Sequence, residues 1–293
     1  MTKFQRAPIT RLHSRTCSSS GAARFIPTFF FEALAYLFAV CAYLLLRRRF
    51  GDPIDTPLRW VITAVAVVGA LVGAKLLYWV ENPWLSWQRR GDVAYFVGGK
   101  TIVGALGFGL LAVELSKRYL GLRRSTGDLF AIPIAFGIAI GRLGCFLSGL
   151  EDNTYGTPTA LRWGVDFGDG TRRHPTQLYE AVFLLALIPL LYALLGRISE
   201  ARRQTAPGNA SGLWAGDVFR IFMVAYASFR LLVDFLKPYP RVLLGLGAIQ
   251  WASLFILAYY ASDILRWFHA ASYPRLTGQG KGELRRSRFS TDR

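Results

Sequence analysis

The chain has 293 residues, 53% of them hydrophobic and 14% aromatic, with a mean hydropathy of +0.31, which excludes a soluble domain of ordinary composition and marks a membrane protein. The net charge of +17 does not point to nucleic acid, because the basic residues gather in two tails and in the connections between apolar runs, where anchoring at a membrane face accounts for them. Cys17, Cys41 and Cys145 are odd in number and two of them fall inside apolar runs, which argues against a disulfide framework.

In chain order, residues 1–28 read as a basic, serine-rich tail with no acidic residue and no cleavage pattern after an apolar core. Seven runs then approach the about 20 apolar residues that cross a hydrocarbon core of roughly 30 Å. They are Phe29–Leu46, Arg59–Val80, Tyr95–Leu115, Asp128–Ser148, Gln177–Leu195, Asp217–Leu236 and Leu243–Ile264. Residues 29–268 are therefore expected to form a seven-helix membrane domain, with an outer loop at 149–175 and a basic cytoplasmic tail at 269–293. The third and fourth runs, VGGKTIVGALGFGL and AFGIAIGRLGCFLSG, are rich in glycine and weakly apolar, which suits helices packed closely inside the bundle. In the outer loop, VDFGDGTRR reads as a tight turn between two short extended pieces, and its DFG triplet has no kinase context. Trp84, Trp87 and Trp163 read as interfacial aromatics.

The distribution of charge orients the spans. Arg47 to Arg49, Lys117, Arg118, Arg123, Arg124, Arg197, Arg202 and Arg203 share one side with the C-terminal tail, which places that side in the cytoplasm and the N-terminus outside. The cations of the N-terminal tail oppose this bias. With directions alternating, Glu32, Lys75, Lys100, Arg142, Glu180, Arg230 and Asp234 all fall at the outer end. A charge at membrane depth is costly unless paired or wetted, so their convergence implies a polar chamber open to the outside. Tyr226, Arg230 and Asp234 also share one helix face at i,i+4 spacing, which alone would make a structural Arg–Asp pair, and Lys75 could simply snorkel. A solute transporter fits less well: the polar residues gather at one end, and broken-helix and inverted-repeat signals are missing.

Four stretches carry a family resemblance. Gly141-Arg142-Leu143-Gly144-x-Phe146-x-x-Gly149 is followed by Tyr155-Gly156 and by His174-Pro175-Thr176-Gln177-Leu178-Tyr179-Glu180. Further on stand Tyr226-x-x-Phe229-Arg230-x-x-x-Asp234-Phe235-x-Lys237 and Gly245-x-Gly247-x-x-Gln250. In order and spacing these resemble the bacterial prolipoprotein diacylglyceryl transferases. The resemblance implies an all-α integral membrane fold, with seven transmembrane helices around a polar chamber at the outer face of the cytoplasmic membrane. It also implies transfer of a diacylglyceryl group from phosphatidylglycerol to the lipobox cysteine of a prolipoprotein. Glycerol phosphate would be released, without metal or organic cofactor.

The residues suit that chemistry. The planar guanidinium fork matches a phosphate, so Arg142 is the candidate for substrate phosphate and Arg230 for charge developing on the leaving group. A thiol attacks as thiolate, and His174, Tyr226, Asp234 and Glu180 are the groups available to favour that form. Arg230, Tyr226, Asp234 and His174 are accordingly assigned to catalysis, and Arg142, Gly144, Gly156, Gln177, Tyr179 and Glu180 to substrate binding. His174 may act as a base or may hold the loop, and Gln177, Tyr179 and Glu180 may fasten that loop over the chamber; both readings stand. The chain also departs from the resemblance. Val103 occupies the place of a third-helix histidine, Cys145 that of an asparagine, and Leu150 or Glu151 that of an acidic residue. Asp234 replaces a glutamate, and Phe31 or Glu32 falls at a first-helix tyrosine position. The alternative is therefore a family member that binds phosphatidylglycerol, or modifies another acceptor, after losing its base.

Overall fold

The computed structural model describes residues 20–122, 124–203, 213–241 and 243–272; most of both basic tails, with Cys17, and also Arg123 lie outside the described residues. The long helices are α1 (Ser20–Phe50), α2 (Thr56–Glu81), α5 (Ile102–Tyr119), α6 (Asp128–Ser148), α7 (Thr176–Arg203) and α8 (Asp217–Val233). Short helices α3 (Pro83–Gln88) and α4 (Val93–Gly98) join α2 to α5, and α9 (Ala248–Tyr259) and α10 (Ala261–Ser272) follow α8. A two-residue hairpin of β1 (Val165–Asp166) and β2 (Arg172–Arg173) lies in the outer loop. Its turn has Gly168 and Gly170 at φ of 103° and 77°, as the FGDG stretch predicts. The Asp166 carboxylate closes the turn by accepting from the backbone N–H groups of Gly168, Asp169 and Gly170.

Every predicted apolar run contains a helix; the last becomes helical only at Ala248, after a turn over residues 243–247, and two of the runs are interrupted. The run Tyr95–Leu115 breaks at Gly98 to Thr101 into α4 and α5. Two adjacent glycines weaken the helix there, while Lys75 donates to the Val97 and Gly99 carbonyls and the Thr101 N–H reaches the Ala74 carbonyl at 3.1 Å. The last run bends by 54° between α9 and α10. Helix α1 begins at Ser20, nine positions before Phe29, because hydropathy marks only its apolar part. By length and composition, four helices among the described residues can cross a membrane, namely α1, α2, α6 and α7, or five if the bent pair is one span. Helix α5 ends in Glu114, Lys117 and Arg118, and α8 has only 17 residues.

Small residues set the packing. Helices α2 and α5 meet backbone to backbone: a Cβ on Gly73 would strike the Gly104 carbonyl, and one on Gly69 would lie 2.5 Å from the Ala112 Cβ. Helix α6 meets α1 where a Cβ on Gly144 would fall 2.6 Å from that of Phe31. The centre is apolar, formed by Ala131, Ala135 and Ala139 of α6, Leu184 and Leu191 of α7, and Phe222, Met223 and Ala227 of α8. Outward faces remain apolar too, with Tyr36, Leu37 and Val40 on α1 and Trp60, Val67, Val68 and Leu71 on α2 exposed. Exposed apolar area on this scale suits lipid contact.

Buried charge is not confined to the outer end, contrary to the sequence expectation. At the opposite ends of the same helices, Arg59 is 2% exposed, pairs with Asp52 and donates to the Thr126 carbonyl at 2.6 Å. Asp128 accepts from the Gly216 N–H at 2.7 Å and so caps the start of α8, where unpaired N–H groups favour an anion. Asp217 accepts from the Trp214 N–H and binds Arg266 at 2.6 Å, fixing α10 against α8. The apolar centre lies between the two charged ends.

Candidate active site

The C-terminal ends of α6 and α8 and the N-terminal end of α7 hold an ionic cluster centred on Glu180. Its carboxylate is fully buried one turn into α7, where helix geometry aims it at the neighbouring helices. Oε2 lies 2.9 Å from Arg142 Nε and accepts from Arg230 Nη1 at 3.0 Å, while Oε1 accepts from the Tyr226 hydroxyl at 2.6 Å. Arg230 Nη2 reaches Asp234 at 2.9 Å, the i,i+4 contact that the sequence spacing predicts. Stacking of Phe183 on Phe229, with centroids 4.4 Å apart, holds α7 to α8 beside the cluster.

Lys237, which sequence reasoning left in a loop, belongs to this cluster. It is 3% exposed, 3.9 Å from Asp234, and lies over the Tyr239 ring. Its position three residues after Asp234, at the close of a 3₁₀ turn spanning Asp234–Leu236, was the available signal. Three cations thus face two carboxylates within this contact network. Not all donors are used: Arg142 Nη1 reaches only the Cys145 sulfur at 3.9 Å, and Arg230 Nε has no partner. Gln177 is 1% exposed and neither end of its amide is hydrogen-bonded. Buried polar groups left without partners in a native fold call for a ligand or water.

The structure brings Arg142, Glu180, Tyr226, Arg230 and Asp234 into direct contact, and it places other expected residues elsewhere. His174 Nδ1 lies 3.3 Å from the Tyr179 hydroxyl, which accepts from Trp163 Nε1 at 2.9 Å, so these three aromatics tie the outer loop together. The His174 backbone bonds to both Gly156 and Thr157. Gly156 is a packing residue: a Cβ there would lie 2.6 Å from the His174 Cβ and 3.0 Å from the Leu236 carbonyl. Gly144 serves close packing against Phe31 in the same way. Lys100 pairs with Glu32 at an exposed rim, and Lys75 is taken up by backbone carbonyls, so these three charges do not join the cluster. Val103 is 2% exposed within the apolar core. In the outer hairpin, paired hydrogen bonds from Arg173 hold the Asp169 carboxyl below the usual carboxylate range.

A multi-pass helical membrane protein with a buried, net-positive cluster at one end is suited to an anionic lipid. Comparison with known proteins narrows the class. The prolipoprotein diacylglyceryl transferase family model matches residues 30–265, and the chain belongs to that family. A relative from Nitratidesulfovibrio vulgaris strain Hildenborough is 33% identical over 244 residues, covering 75% of this chain and 81% of the relative. One from Geobacter sulfurreducens is 32% identical over 228 residues, covering 71% and 77%. One from Clostridium tetani is 30% identical over 211 residues, covering 66% and 74%. All three carry the name phosphatidylglycerol–prolipoprotein diacylglyceryl transferase.

Proposed function

We propose that this protein transfers the diacylglyceryl group of phosphatidylglycerol to the lipobox cysteine of a prolipoprotein. The observation that carries the reading is the buried contact network of Arg142, Glu180, Arg230, Asp234 and Lys237, in which cations outnumber carboxylates by one, an arrangement that suits the single negative charge of a phosphodiester. Binding the phosphate neutralises the cluster. As the carbon–oxygen bond breaks, the departing glycerol phosphate gains a second negative charge beside Arg142, Arg230 and Lys237, and these cations stabilise the transition state more than the ground state. Glu180 positions both arginines, and Tyr226 orients Glu180. The unpartnered Gln177 amide is placed to bond a headgroup oxygen.

The same reading takes seven crossings, with α5 and α8 as the two short ones, an N-terminus outside and a cytoplasmic C-terminus. The cluster then opens to the outer face, where prolipoproteins emerge. Complementation tests the function: the gene should sustain lipoprotein modification in bacteria depleted of their own transferase, and Arg142→Ala should abolish it. Failure of the unaltered protein at confirmed expression would refute the assignment.

A further inference from the structure

A small cleft adjoins the cluster and is lined by Glu81, Asp234, Tyr239, Arg241 and Gln250. Glu81 closes α2 and was not among the residues the sequence singled out. Its Oε1 is buried and accepts no hydrogen bond. The carboxylates of this end differ in how they are held. Glu180 is bound by two arginines and a tyrosine, and Asp234 by Arg230 and Lys237, whereas Glu81 forms no ion pair among the described residues. Gln250, another polar residue of the wall, is already satisfied, donating to the Leu231 carbonyl and accepting from the Gly247 N–H. Glu81, with one carboxylate oxygen lacking a hydrogen-bond partner, therefore lines a cleft next to the cations of the cluster.

We propose that Glu81 is the catalytic base that takes the proton of the acceptor thiol. This rests on the transferase reading above, in which the other candidates are engaged: His174 is tied to Tyr179, Val103 lies in the apolar core, Tyr226 donates to Glu180, and Asp234 is paired through Oδ1 with Arg230 and Lys237, whereas Glu81 forms no ion pair among the described residues. In the step, the S–H proton moves to Glu81 Oε1 and the sulfur forms a bond to the glyceryl carbon. The carbon–oxygen bond to phosphate breaks, and its electron pair leaves on glycerol phosphate. The charge balance supports the arrangement. Protonation removes the negative charge of Glu81 as the leaving group acquires one, so Arg230 and Lys237 of the cluster, and Arg241 on the wall of the cleft, become less compensated when they are most needed.

The test uses purified full-length protein in phosphatidylglycerol vesicles with a lipobox peptide, following thioether formation against pH. Glu81→Gln should lower kcat at pH 7 by about 10²- to 10⁴-fold, the usual contribution of a general base, with KM for phosphatidylglycerol little changed. The deficit should shrink as pH passes about 8.5, where a free thiol ionises unaided, and Glu81→Asp should recover part of the rate. Thermal stabilisation of Glu81→Gln by phosphatidylglycerol should equal that of the unaltered protein, which shows that the fold and the lipid site survive. A wild-type rate in Glu81→Gln, or a deficit of constant size at all pH values, would overturn the proposal. Absence of thioether formation by the unaltered protein would instead overturn the transferase reading beneath it.

Discussion

Glu180→Gln is the sharpest perturbation of the cluster. The substitution keeps the shape of the side chain and removes the anion that two arginines contact at 2.9 and 3.0 Å. Both arginines are under 10% exposed, so neither recovers water as a partner. Removing one member of a buried ionic group costs about 3–5 kcal/mol, because the charge left behind is uncompensated. For a chain of this size that is a fall in Tm of roughly 6–20 °C in detergent. If the loss falls on the geometry of the site, it is about 10²- to 10⁴-fold in transferase rate. Tyr226→Phe removes only one hydrogen bond to the same carboxylate and should cost about 1.5–3 kcal/mol. Adding Arg142→Met to Glu180→Gln should return part of the lost Tm by deleting an orphaned charge, yet restore no activity, since a phosphate ligand is then missing. Thermal unfolding and single-turnover transfer measured on the three variants decide the matter. A Glu180→Gln protein with unchanged Tm and full activity would refute the central role of this residue.

Three further outcomes are expected. His174→Ala should keep activity within about tenfold of the unaltered protein, because the ring contacts Tyr179 and not the cluster; a loss of the size expected of a general base would contradict this in the vesicle assay. Val103→His should not restore a missing base but should destabilise the protein by about 1–3 kcal/mol, visible as a lower Tm, since the imidazole would be buried among apolar side chains. In the outer hairpin, Arg173 lowers the folded-state pKa of Asp169, so the pair's contribution is present above the ordinary aspartate value of about 3.9 and is lost as pH falls through the depressed value. A carboxyl NMR titration should place the Asp169 midpoint below that value and return it upward in Arg173→Ala.

Helix positions were legible because apolar runs in lipid need no partner to be recognised. The break at Gly98 to Thr101 was not, since it depends on Lys75 of another helix capturing two carbonyls. The end of the bundle at which each charge lies followed from alternating direction alone. Which charges meet depends on helix rotation, which a one-dimensional pattern does not encode. Glu180, read as a residue that might fasten a loop, is the hub of the site, while His174, read as a candidate base, is the one that fastens the loop. The i,i+4 spacing of Tyr226, Arg230 and Asp234 lies within a single helix and was therefore read correctly. Asp128 and Asp217 looked like ordinary first-turn acids, and only the contact between α6 and α8 shows that Asp128 caps a neighbour's start.

The two charged ends use the same residue types, and the completeness of their hydrogen bonding separates structure from function. In the network at the starts of α2, α6 and α8, Asp128 and Asp217 accept from several backbone and side-chain donors, and Arg59 is held by a carboxylate and a carbonyl. Of the nine buried side-chain atoms without an aligned hydrogen bond among the described residues, eight belong to Trp79, Glu81, Arg142, Gln177, Arg230 and Asp234 at the Glu180 end, where Arg142 Nε and Asp234 Oδ1 still have ion-pair partners, and one to Arg266. An unmet donor or acceptor in a dry interior costs about 1–3 kcal/mol, so a sequence with no use for this end would gain stability by replacing these residues with apolar ones. Their retention is understandable if the missing partners arrive with the lipid headgroup and the acceptor thiol. The stability lost in the empty site is then recovered on binding, and most fully in the transition state, where charge on the leaving group is greatest.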